Sequence, residues 1–286
     1  MFRSCATDFP LSILIETKSQ CQGKCVFCPY EKLRAKKPVE MLNTAILTKV
    51  LQEISNYPVR RLSLFGNNEP LLDNRIVELV KLAHLFNPNC EITLSTNGIL
   101  LGKNIAEALY DAGLSVLYVS VPTIKEYEYH FLMGARVSWV KKSLTEISLS
   151  RARSMIRIAV PETYAFDREE IKRFCEELGF QFSSWKLEYK MSWNLPYGYL
   201  KKDVRYNCQP CDRPMDQMCI LANGNVVICC RDWNEQGIVG NVKQDSLYEI
   251  WHSDRMKKIQ DDIAKQSYRN PVCIDCTENP NIEGLF

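Results

Sequence analysis

The sequence predicts an α/β fold, a partial (β/α)6 TIM-like barrel followed by a small C-terminal unit. Six short apolar runs rich in β-branched residues alternate with stretches of helical periodicity. Strands that are separated by helices pair in parallel through right-handed crossovers. The chain has 286 residues, which suffices for one domain of about 200 residues and a smaller one. Six strand–helix units are too few for a closed eight-stranded barrel, so the barrel is expected to be partial.

Each element has its own local signal. The predicted strands are residues 11–15, 61–65, 91–95, 115–121, 155–160 and 183–189. Apolar residues at helical spacing predict helices over residues 42–54, 76–85, 105–113 and 139–147. A fifth helix is expected to begin at Asp167, with Glu170 as its capping-box partner, and to end at Gly179. We place the barrel at residues 1–200 and the C-terminal unit at residues 201–286.

Composition excludes several classes of protein. A net charge of +2 argues against a nucleic-acid partner and against an anionic membrane surface. The first residues contain no secretory signal pattern, and no stretch approaches eighteen apolar residues, so no membrane span is expected. Thirteen cysteines in a chain without an export signal indicate metal ligands instead of disulfides. We therefore expect a cytoplasmic, oxygen-sensitive metalloprotein.

Three cysteines closely follow the first predicted strand. Cys21, Cys25 and Cys28 stand in the run C-Q-G-K-C-V-F-C. Thiolates at the spacing C-x3-C-x2-C can hold three irons of a [4Fe–4S] cube and leave the fourth iron without a protein ligand. A small molecule that binds this open iron can receive an electron there. Sites in parallel sheets of this kind lie at the carboxyl ends of the strands, which is where this loop is expected.

A structural zinc site is the main alternative for these cysteines, and a chance clustering is another. Structural zinc takes four nitrogen or sulfur ligands in a tetrahedron. Downstream of Cys28, the first further cysteine or histidine is His84. The absence of a nearby fourth ligand favours the iron–sulfur cube.

The cysteine motif resembles that of the radical S-adenosylmethionine (SAM) superfamily. In that family SAM binds the open iron, and its reductive cleavage gives a 5′-deoxyadenosyl radical that abstracts hydrogen from a substrate. The family fold is the same partial barrel. The resemblance implies SAM and a [4Fe–4S] cluster as cofactors, and a reductant such as flavodoxin or ferredoxin as a partner.

Other segments resemble the family at the same edge of the predicted sheet. After the second strand, F-G-N-N-E-P-L stands where the family has a glycine-rich ridge that binds the SAM amino group. Glu69 and Pro70 match that ridge, whereas Asn67 and Asn68 replace glycines. After the third strand, the segment S-T-N-G contains Ser95 and Asn97, and after the fourth strand Ser120 stands at a common ribose contact. The resemblance implies that these residues bind SAM.

The C-terminal region holds a second set of cysteines. The seven are Cys208, Cys211, Cys219, Cys229, Cys230, Cys273 and Cys276. Asn223 and Gly224 predict a hairpin turn between two apolar strands, and Gly224 precedes Cys229 with the spacing G-x4-C. Ser246 and Glu249 predict a capping box for a helix over residues 247–259.

This region resembles the SPASM/twitch extension of radical SAM enzymes. The ligand pattern of that extension falls on Cys211, Cys229, Cys273 and Cys276. No cysteine follows Cys276, so the resemblance implies the shorter twitch form, with one auxiliary [4Fe–4S] cluster and no open iron. Two alternatives stay open: a zinc ribbon built from the pairs 208/211 and 273/276, and replacement of Cys211 by Cys208 or Cys219.

The substrate side is less clearly encoded. The segment after the fifth helix contains Glu188, Lys190, Trp193 and Asn194, and it is expected to face the mouth of the barrel. Arg157 on the fifth strand is a further candidate for contact with substrate. Cys230 follows a predicted cluster ligand, so it either donates hydrogen to a substrate radical or packs structurally.

Three functions are consistent with these features. The first is a dehydrogenase-like oxidation of a small natural-product precursor, because in size and cluster count the chain resembles family members that oxidise an aminocyclitol. The second is maturation of a ribosomally synthesised peptide by cross-linking or epimerisation; the short segment before the first strand holds no leader-binding domain. The third is a non-enzymatic metal-binding scaffold. We expect the first, with a small-molecule or peptide substrate.

Overall fold

One mixed sheet organises the molecule. The computed structural model describes residues 5–35, 37–162, 168–186 and 211–277, and in this part nine strands form a single sheet. They are β1 (Ser12–Ile15), β2 (Arg61–Ser63), β3 (Glu91–Thr96), β4 (Val116–Ser120), β5 (Ile156–Glu162), β6 (Gln181–Lys186), β7 (Gln217–Ile220), β8 (Asn225–Val227) and β9 (Ile238–Asn241). The strand order is β6-β5-β4-β3-β2-β1-β7-β8-β9. Strands β1 to β6 pair in parallel, as the alternation of apolar runs and helices predicts.

Helices connect the parallel strands. They are α1 (Tyr30–Leu33), α2 (Thr44–Ile54), α3 (Ile76–Phe86), α4 (Lys103–Asp111), α5 (Glu126–Met133), α6 (Val137–Ser148) and α7 (Arg168–Leu178). The C-terminal part adds α8 (Arg213–Asp216), α9 (Leu247–Trp251), α10 (Asp254–Ala264) and α11 (Pro271–Thr277). The α/β class and the partial-barrel order of the strands are thus confirmed. Asp167, the predicted start of α7, lies outside the described residues.

The two faces of the parallel strands differ in chemistry. Alternate residues pack against the helices in the main core, as the two-residue period of a strand requires: Ile13, Ile15, Leu62, Leu64, Ile92, Leu94, Leu117, Val119, Ile158 and Val160. The residues that alternate with them point to the opposite face, which we call the inner face. At the amino ends of the strands these are Arg61, Glu91 and Arg157, and farther along they are Leu14, Ser63, Thr93, Ser95, Tyr118, Ser120 and Ala159. The Ser63 and Thr93 hydroxyls are 2.9 Å apart across β2 and β3. Beyond the amino ends, the inner face is therefore lined mainly by neutral hydroxyl groups.

Strand β7 joins the C-terminal region to the barrel sheet, a pairing that local sequence patterns do not predict. It runs parallel to β1, with Leu14 opposite Cys219 and Ile15 opposite Ile220. Strand β8 then returns antiparallel to β7, as the predicted Asn223–Gly224 turn requires. Gly224 has φ +89°, a backbone conformation that favours glycine. The described barrel and the C-terminal strands therefore form one continuous sheet.

The C-terminal helices pack against the N-terminal segment and α2. The Trp251 indole donates to the Thr7 carbonyl over 2.8 Å. The Glu53 carboxylate of α2 accepts from the backbone N–H groups of Leu247 and Tyr248, at 3.0 and 2.9 Å. The capping box of Ser246 and Glu249 is present as predicted. The single helix predicted over residues 247–259 is wrong, because Ser253 caps a new helix there by accepting from the Met256 N–H.

The bounds of β6 and the number of helices differ from what the sequence predicts. Strand β6 spans Gln181–Lys186 and thus begins before the predicted strand over residues 183–189, of which residues 187–189 lie outside the described part. Helices α1, α5, α8 and α11 were not predicted. In the described part of the chain, no helix combines the length and apolar character that crossing a lipid bilayer requires.

Candidate active site with two cysteine clusters

The three cysteines of the first motif lie in one loop after β1. The position that a Cβ of Gly23 would take is 3.4 Å from the Cys21 sulfur and 3.5 Å from the Cys25 sulfur. The Cys28 N–H donates to the Cys25 carbonyl over 3.0 Å, which folds the second half of the loop back. All three thiols are free and half-buried. The loop therefore gathers three soft donors at the carboxyl end of β1.

The thiols of this loop fit an iron–sulfur cube. Burial raises the pKa of Cys21 to about 11 and also raises the pKa values of Cys25 and Cys28; neighbouring thiols add to the rise at Cys21 and Cys25. Thiols that are costly to ionise alone, but that lie together, are stabilised as thiolates when iron binds. Among the described residues, no group of three or more His, Cys, Asp and Glu has the geometry to hold a single metal ion.

Glu69 joins the loop after β2 to the end of β3. Its carboxylate accepts from the Thr96 hydroxyl and from the Asn97 N–H, both over 2.7 Å, and from the Leu71 N–H over 3.1 Å. Its own N–H donates to the Gln20 carbonyl just before the cysteine loop. Burial raises the pKa of this carboxyl group, against the effect of those hydrogen bonds. Glu69 thus holds three loops together at the carboxyl edge of the sheet.

Asn97 is the residue of the S-T-N-G segment that reaches the cysteines. Its side-chain nitrogen lies 3.5 Å from the position of a Gly23 Cβ, and its amide acts as a donor toward the neighbouring Cys21 thiol, which lowers the pKa of that thiol against the larger effect of burial. Its side-chain oxygen accepts from the Ile99 N–H over 3.0 Å. A donor on a cysteine sulfur is the kind of group that tunes an iron–sulfur cluster.

The segment with asparagines in place of glycines keeps a tight approach to β1. The Asn67 N–H donates to the Glu16 carboxylate over 3.0 Å, and the Asn68 side chain accepts from the Gly66 N–H over 2.8 Å. A Cβ at Gly66 would stand 3.1 Å from the Glu16 Cβ, so a larger residue there would force Glu16 to shift. Pro70 begins a short 3-10 helix. The amide nitrogens of Asn68 and Gln22 are buried without a hydrogen-bond partner, as donors awaiting a polar ligand would be.

A buried ion pair that sequence reasoning missed closes the cysteine loop. Glu16 directly follows β1 and Arg34 directly follows α1, and their side chains meet at 2.8 Å with almost no solvent exposure. Burial raises the pKa of Glu16, and the Arg34 guanidinium opposes that rise. The only local signal was a charged residue placed directly after an apolar strand. The pair fixes the two ends of the loop that carries Cys21, Cys25 and Cys28.

Helix α5 covers the same loop from the other side. The Val26 N–H donates to the Leu132 carbonyl over 3.0 Å, and the Cys25 and Met133 sulfurs are 3.6 Å apart. The buried Tyr129 hydroxyl donates to the Asn97 carbonyl over 3.3 Å. Its pKa is raised by burial and then by the nearby Cys25 thiol. One turn and a half of α5 therefore forms a wall of the site.

The other barrel candidates are separated by the structure. Ser95 and Ser120 lie at or near the carboxyl ends of β3 and β4 on the inner face, half-buried. Arg157 lies at the amino end of β5, where its guanidinium donates to the Ser154 and Ile156 carbonyls. It is not brought to the cysteine loop, so we leave it out of the proposed site. Glu188, Lys190, Trp193, Asn194 and Cys208 lie outside the described residues.

The C-terminal cysteines form a second cluster. Burial raises the pKa of Cys273 to about 12, and the neighbouring thiols of Cys229 and Cys211 add to it. The three thiols are therefore near enough to interact electrostatically. Cys276 follows Cys273 by three residues in α11. A zinc ribbon of the pairs 208/211 and 273/276 would leave out Cys229, which the fold places among the donors.

Cys219 and Cys230 form a neighbouring pair. The Cys230 sulfur lies within hydrogen-bonding reach of Cys219, on the small apolar cluster of Leu221 and Val227. The Arg213 guanidinium donates to the Cys230 sulfur over 3.2 Å and approaches the Cys229 sulfur to 3.9 Å. Arg213 was not singled out in the sequence. It places a positive charge beside a predicted cluster ligand.

The two cysteine clusters lie at opposite ends of one strand pair. Cys21 to Cys28 follow the carboxyl end of β1. Arg213, which contacts Cys229 and Cys230, lies in α8 immediately before the amino end of β7, and β7 is parallel to β1. The inner face, with its hydroxyl groups, extends along the strands between the two ends. A substrate on this face would lie between two iron–sulfur sites.

Two family models match the chain. The model of the Radical SAM superfamily matches residues 15–176, which is more than half of the chain. A model described as an iron–sulfur cluster-binding domain, SPASM, matches residues 211–277. The first match contains the cysteine loop, Glu69 and Asn97. The second begins at Cys211 and ends just after Cys276.

Sequence relatives share part of the chain. GTP 3′,8-cyclase of Mycobacterium marinum is 33% identical over 190 residues, which are 63% of this chain and 50% of that protein. A probable GTP 3′,8-cyclase of Methanococcus vannielii is 28% identical over 174 residues, which are 60% of this chain and 56% of that protein. The chain thus spans about half the length of the curated relatives it matches.

Solved structures share the fold over nearly the whole chain. BtrN, in complex with AdoMet and 2-DOIA, aligns with a TM-score of 0.68 and 18% identity over 96% of this chain and 94% of its own. SuiB of Streptococcus suis, bound to the precursor peptide SuiA, aligns with a TM-score of 0.72 and 18% identity. That alignment covers 88% of this chain and 67% of SuiB. The protein anSMEcpe, with bound AdoMet, aligns with a TM-score of 0.63 and 16% identity. That alignment covers 94% of this chain and 91% of anSMEcpe. The chain belongs to the radical SAM superfamily, with a SPASM-type iron–sulfur domain at residues 211–277.

Proposed function

We propose that the protein is a radical SAM oxidoreductase that carries out a net two-electron oxidation of a small hydroxylated or amino natural-product precursor. The observation that carries the proposal is the second cysteine cluster. The thiols of Cys211 and Cys229 are near enough to Cys273 to raise its pKa, and Cys276 follows in the same helix as Cys273. Four protein thiolates leave no iron open for a substrate, which suits a site that exchanges electrons.

The residues of the first site would hold its cofactors. Cys21, Cys25 and Cys28 supply three thiolates, and the buried donors of Gln22 and Asn68 point to a polar ligand beside them. When bound, the first cluster and SAM would supply a 5′-deoxyadenosyl radical, and the auxiliary cluster would supply an electron acceptor. The protein's part is to orient these groups and to keep water away from them.

The inner face supports a polar, uncharged or weakly charged substrate. Its described side chains between the two sites are mostly hydroxyls, among them Ser95, Tyr118 and Ser120. Hydroxyl groups both donate and accept, so they match the alternating donors and acceptors of an aminated sugar or cyclitol. The ligand pair AdoMet and 2-DOIA in the structurally similar BtrN is consistent with this choice.

A GTP cyclase is the second candidate, favoured by the sequence identity to GTP 3′,8-cyclases. A triphosphate is normally bound by Arg, Lys or a helix N-terminus. In the described part of the inner face, the basic residues on the parallel strands are Arg61 and Arg157, both at amino ends of strands. Arg61 pairs with Glu91, and Arg157 donates to main-chain carbonyls of β5 and the turn before it. Peptide maturation, the third candidate, is supported by the fold likeness to peptide-bound SuiB.

The experiment is a substrate screen with the reconstituted protein and SAM under reducing, anaerobic conditions. Aminocyclitols, precursor peptides and GTP are compared by the substrate-dependent rise in 5′-deoxyadenosine and by product mass. We expect an aminocyclitol product lighter by two hydrogen atoms, without deuterium on carbon when the reaction runs in deuterated water. A product that has lost no hydrogen but carries one deuterium on carbon would contradict the oxidation. It would indicate that a hydrogen is returned to the substrate radical, with Cys230 as the donor.

A cysteine replacement tests the auxiliary site separately. The wild-type protein should contain about eight irons, and Cys229→Ala about four, because two cubes are expected. Cys229→Ala should keep substrate-independent SAM cleavage and lose product formation. Cys90→Ala is the control, since Cys90 is a half-buried thiol that donates to the Val59 carbonyl, and it should lose neither iron nor turnover. Normal turnover by a Cys229→Ala protein that lacks the second cluster would reduce that cluster to a structural role.

A further inference from the structure

The side chain of Arg213 lies against the second cysteine cluster. Its Nη1 donates to the Cys230 sulfur over 3.2 Å and comes within 3.9 Å of the Cys229 sulfur. Cys229 is the predicted cluster ligand, and it is buried. A guanidinium stays protonated in proteins, so Arg213 brings a full positive charge to these sulfurs. The predicted ligand and the thiol beside it thus share one fixed cation.

The charge of Arg213 acts on both thiols. Hydrogen bonds to neighbouring thiols, together with burial, raise the pKa values of Cys229 and Cys230, and the guanidinium opposes both rises. The charge at Cys273 has the opposite sign, because the Asp232 carboxylate adds to the rise in pKa that burial causes there. The cluster of thiols therefore has a positive group at the Cys229 side and a negative group at the Cys273 side.

The backbone that carries Arg213 is fixed from two sides. The side chain of buried Gln260 on α10 donates to the Pro214 carbonyl over 3.2 Å. The N–H and the hydroxyl of Thr7 both donate to the Met215 carbonyl, over 2.9 and 3.1 Å. Pro214 and Met215 are themselves buried. Helix α8 is thus held against the N-terminal segment and α10, so the contact of the guanidinium with the sulfurs follows from the fold.

We propose that Arg213 is a positioning residue that raises the reduction potential of the auxiliary cluster and so makes it a better electron acceptor. An iron–sulfur cluster gains one negative charge on reduction, and a nearby cation stabilises that state more than the oxidised one. A hydrogen bond that withdraws charge from the cysteine sulfurs acts in the same direction. The inference deepens the proposed oxidation and rests on it for the acceptor role, whereas the potential itself is measured without substrate.

The test is a redox titration of the reconstituted full chain, followed by electron paramagnetic resonance of the reduced iron. The parent protein carries Ala at Cys21, Cys25 and Cys28, so that its signal comes from the auxiliary cluster alone. Arg213→Met removes the charge and should lower the ratio of reduced to oxidised cluster about tenfold at one fixed solution potential. For a one-electron couple this corresponds to about 59 mV. Arg213→Lys keeps the charge and should stay within about threefold of the parent.

Two controls separate this effect from a general loss of structure. Arg151→Gln also removes a cation, but Arg151 is exposed, pairs with Asp111 and precedes β5, which lies five strands away from β7 in the sheet. This variant should leave the potential of the auxiliary cluster unchanged. In the protein with both clusters, the first cluster is an internal reference, and Arg213→Met should not move its potential.

Three results would overturn the proposal. The first is an unchanged potential in an Arg213→Met protein that keeps its auxiliary cluster, with about four irons. The second is an equal shift in Arg213→Met and Arg213→Lys, which would exclude the charge as the cause. The third is loss of the auxiliary irons in Arg213→Met, which would make the arginine a support for the cluster instead of a determinant of its potential. A substrate screen without an oxidised product would contradict the proposed function and leave the measured potentials as they are.

Discussion

Glu69 shows how one carboxylate sets the shape of the cofactor site. It accepts three hydrogen bonds, from Thr96, Asn97 and Leu71, and it is almost fully buried. In Glu69→Gln, an amide NH2 group replaces one acceptor oxygen and faces a donor. We expect a loss of about 1–3 kcal/mol in the free energy of unfolding, because a buried donor is left without its acceptor. Denaturant unfolding of the apoprotein measures this loss.

The same variant should weaken SAM binding, because Asn97 reaches the cysteine loop from a backbone that Glu69 holds. A SAM titration of the reconstituted protein measures that effect. Glu91→Gln at the start of β3 is the matched control, since Glu91 pairs with Arg61 at the surface. Equal stability of Glu69→Gln and Glu91→Gln would show that the loops do not depend on the buried carboxylate.

Individual residues were predictable where spacing alone defines their chemistry. The three cysteines after β1 and the C-terminal set were found by their intervals along the chain, and the fold brings together those of them it describes. Glu16 and Arg34 were missed, because an ion pair between residues 18 apart has no local pattern. Arg213 was missed for the same reason: its partner sulfurs come from a different strand end.

At the scale of elements, the cysteine loop depends on how its ends are held. Arg34→Met removes the counter-charge of buried Glu16 and leaves a carboxylate without its cation. We expect a loss of about 3–5 kcal/mol in unfolding free energy, the usual result of breaking a buried pair from one side. Iron at the first site should fall in parallel, because the ends of the loop are no longer fixed.

Two controls separate charge from packing in this prediction. The double variant Glu16→Gln/Arg34→Met should recover part of the lost stability, because no buried charge remains unpaired. Arg151→Met breaks an exposed pair with Asp111 and should leave the unfolding midpoint unchanged. Wild-type stability and full iron in Arg34→Met would show that the ion pair does not hold the loop.

The strands and most helices were predictable, whereas α5 was not. Regular periodicity of apolar residues identified α2, α3 and α6. In α5, the buried residues Tyr129, Leu132 and Met133 alternate with aromatic residues that stay exposed. The three buried residues form one stripe at i, i+3 and i+4, but the exposed aromatic residues Tyr127 and Phe131 on the rest of the helix hide this stripe in the sequence.

At the scale of the whole molecule, the shared sheet couples the two units. Strand β7 pairs with β1, and Trp251 and Glu53 join the C-terminal helices to the N-terminal segment and α2. We expect the apoprotein to unfold in one cooperative transition. Two buried cysteines report on it: Cys175 on α7 is 1% exposed and Cys219 on β7 is 2% exposed. Pulse labelling of both thiols along a denaturant series should give one midpoint.

Labelling of Cys219 at a denaturant concentration that leaves Cys175 protected would contradict this expectation. It would mean that the C-terminal unit opens by itself. The pairing of β7 with β1 could not be predicted from the sequence, because both strands are short apolar runs that fit several neighbours. Register and partner are set by the packing of the assembled sheet, not by either strand alone.

The pairing of β1 with β7 also fixes the order in which the molecule can be completed during translation. About 200 residues separate the two strands. At about 5–20 residues per second, a ribosome needs about 10–40 s to synthesise that length. Throughout that interval, one edge of β1 lacks its partner, and an open edge strand can recruit another chain. The first cysteine loop is finished long before the auxiliary cysteines emerge, so its iron can be loaded on a nascent chain whose sheet is still incomplete.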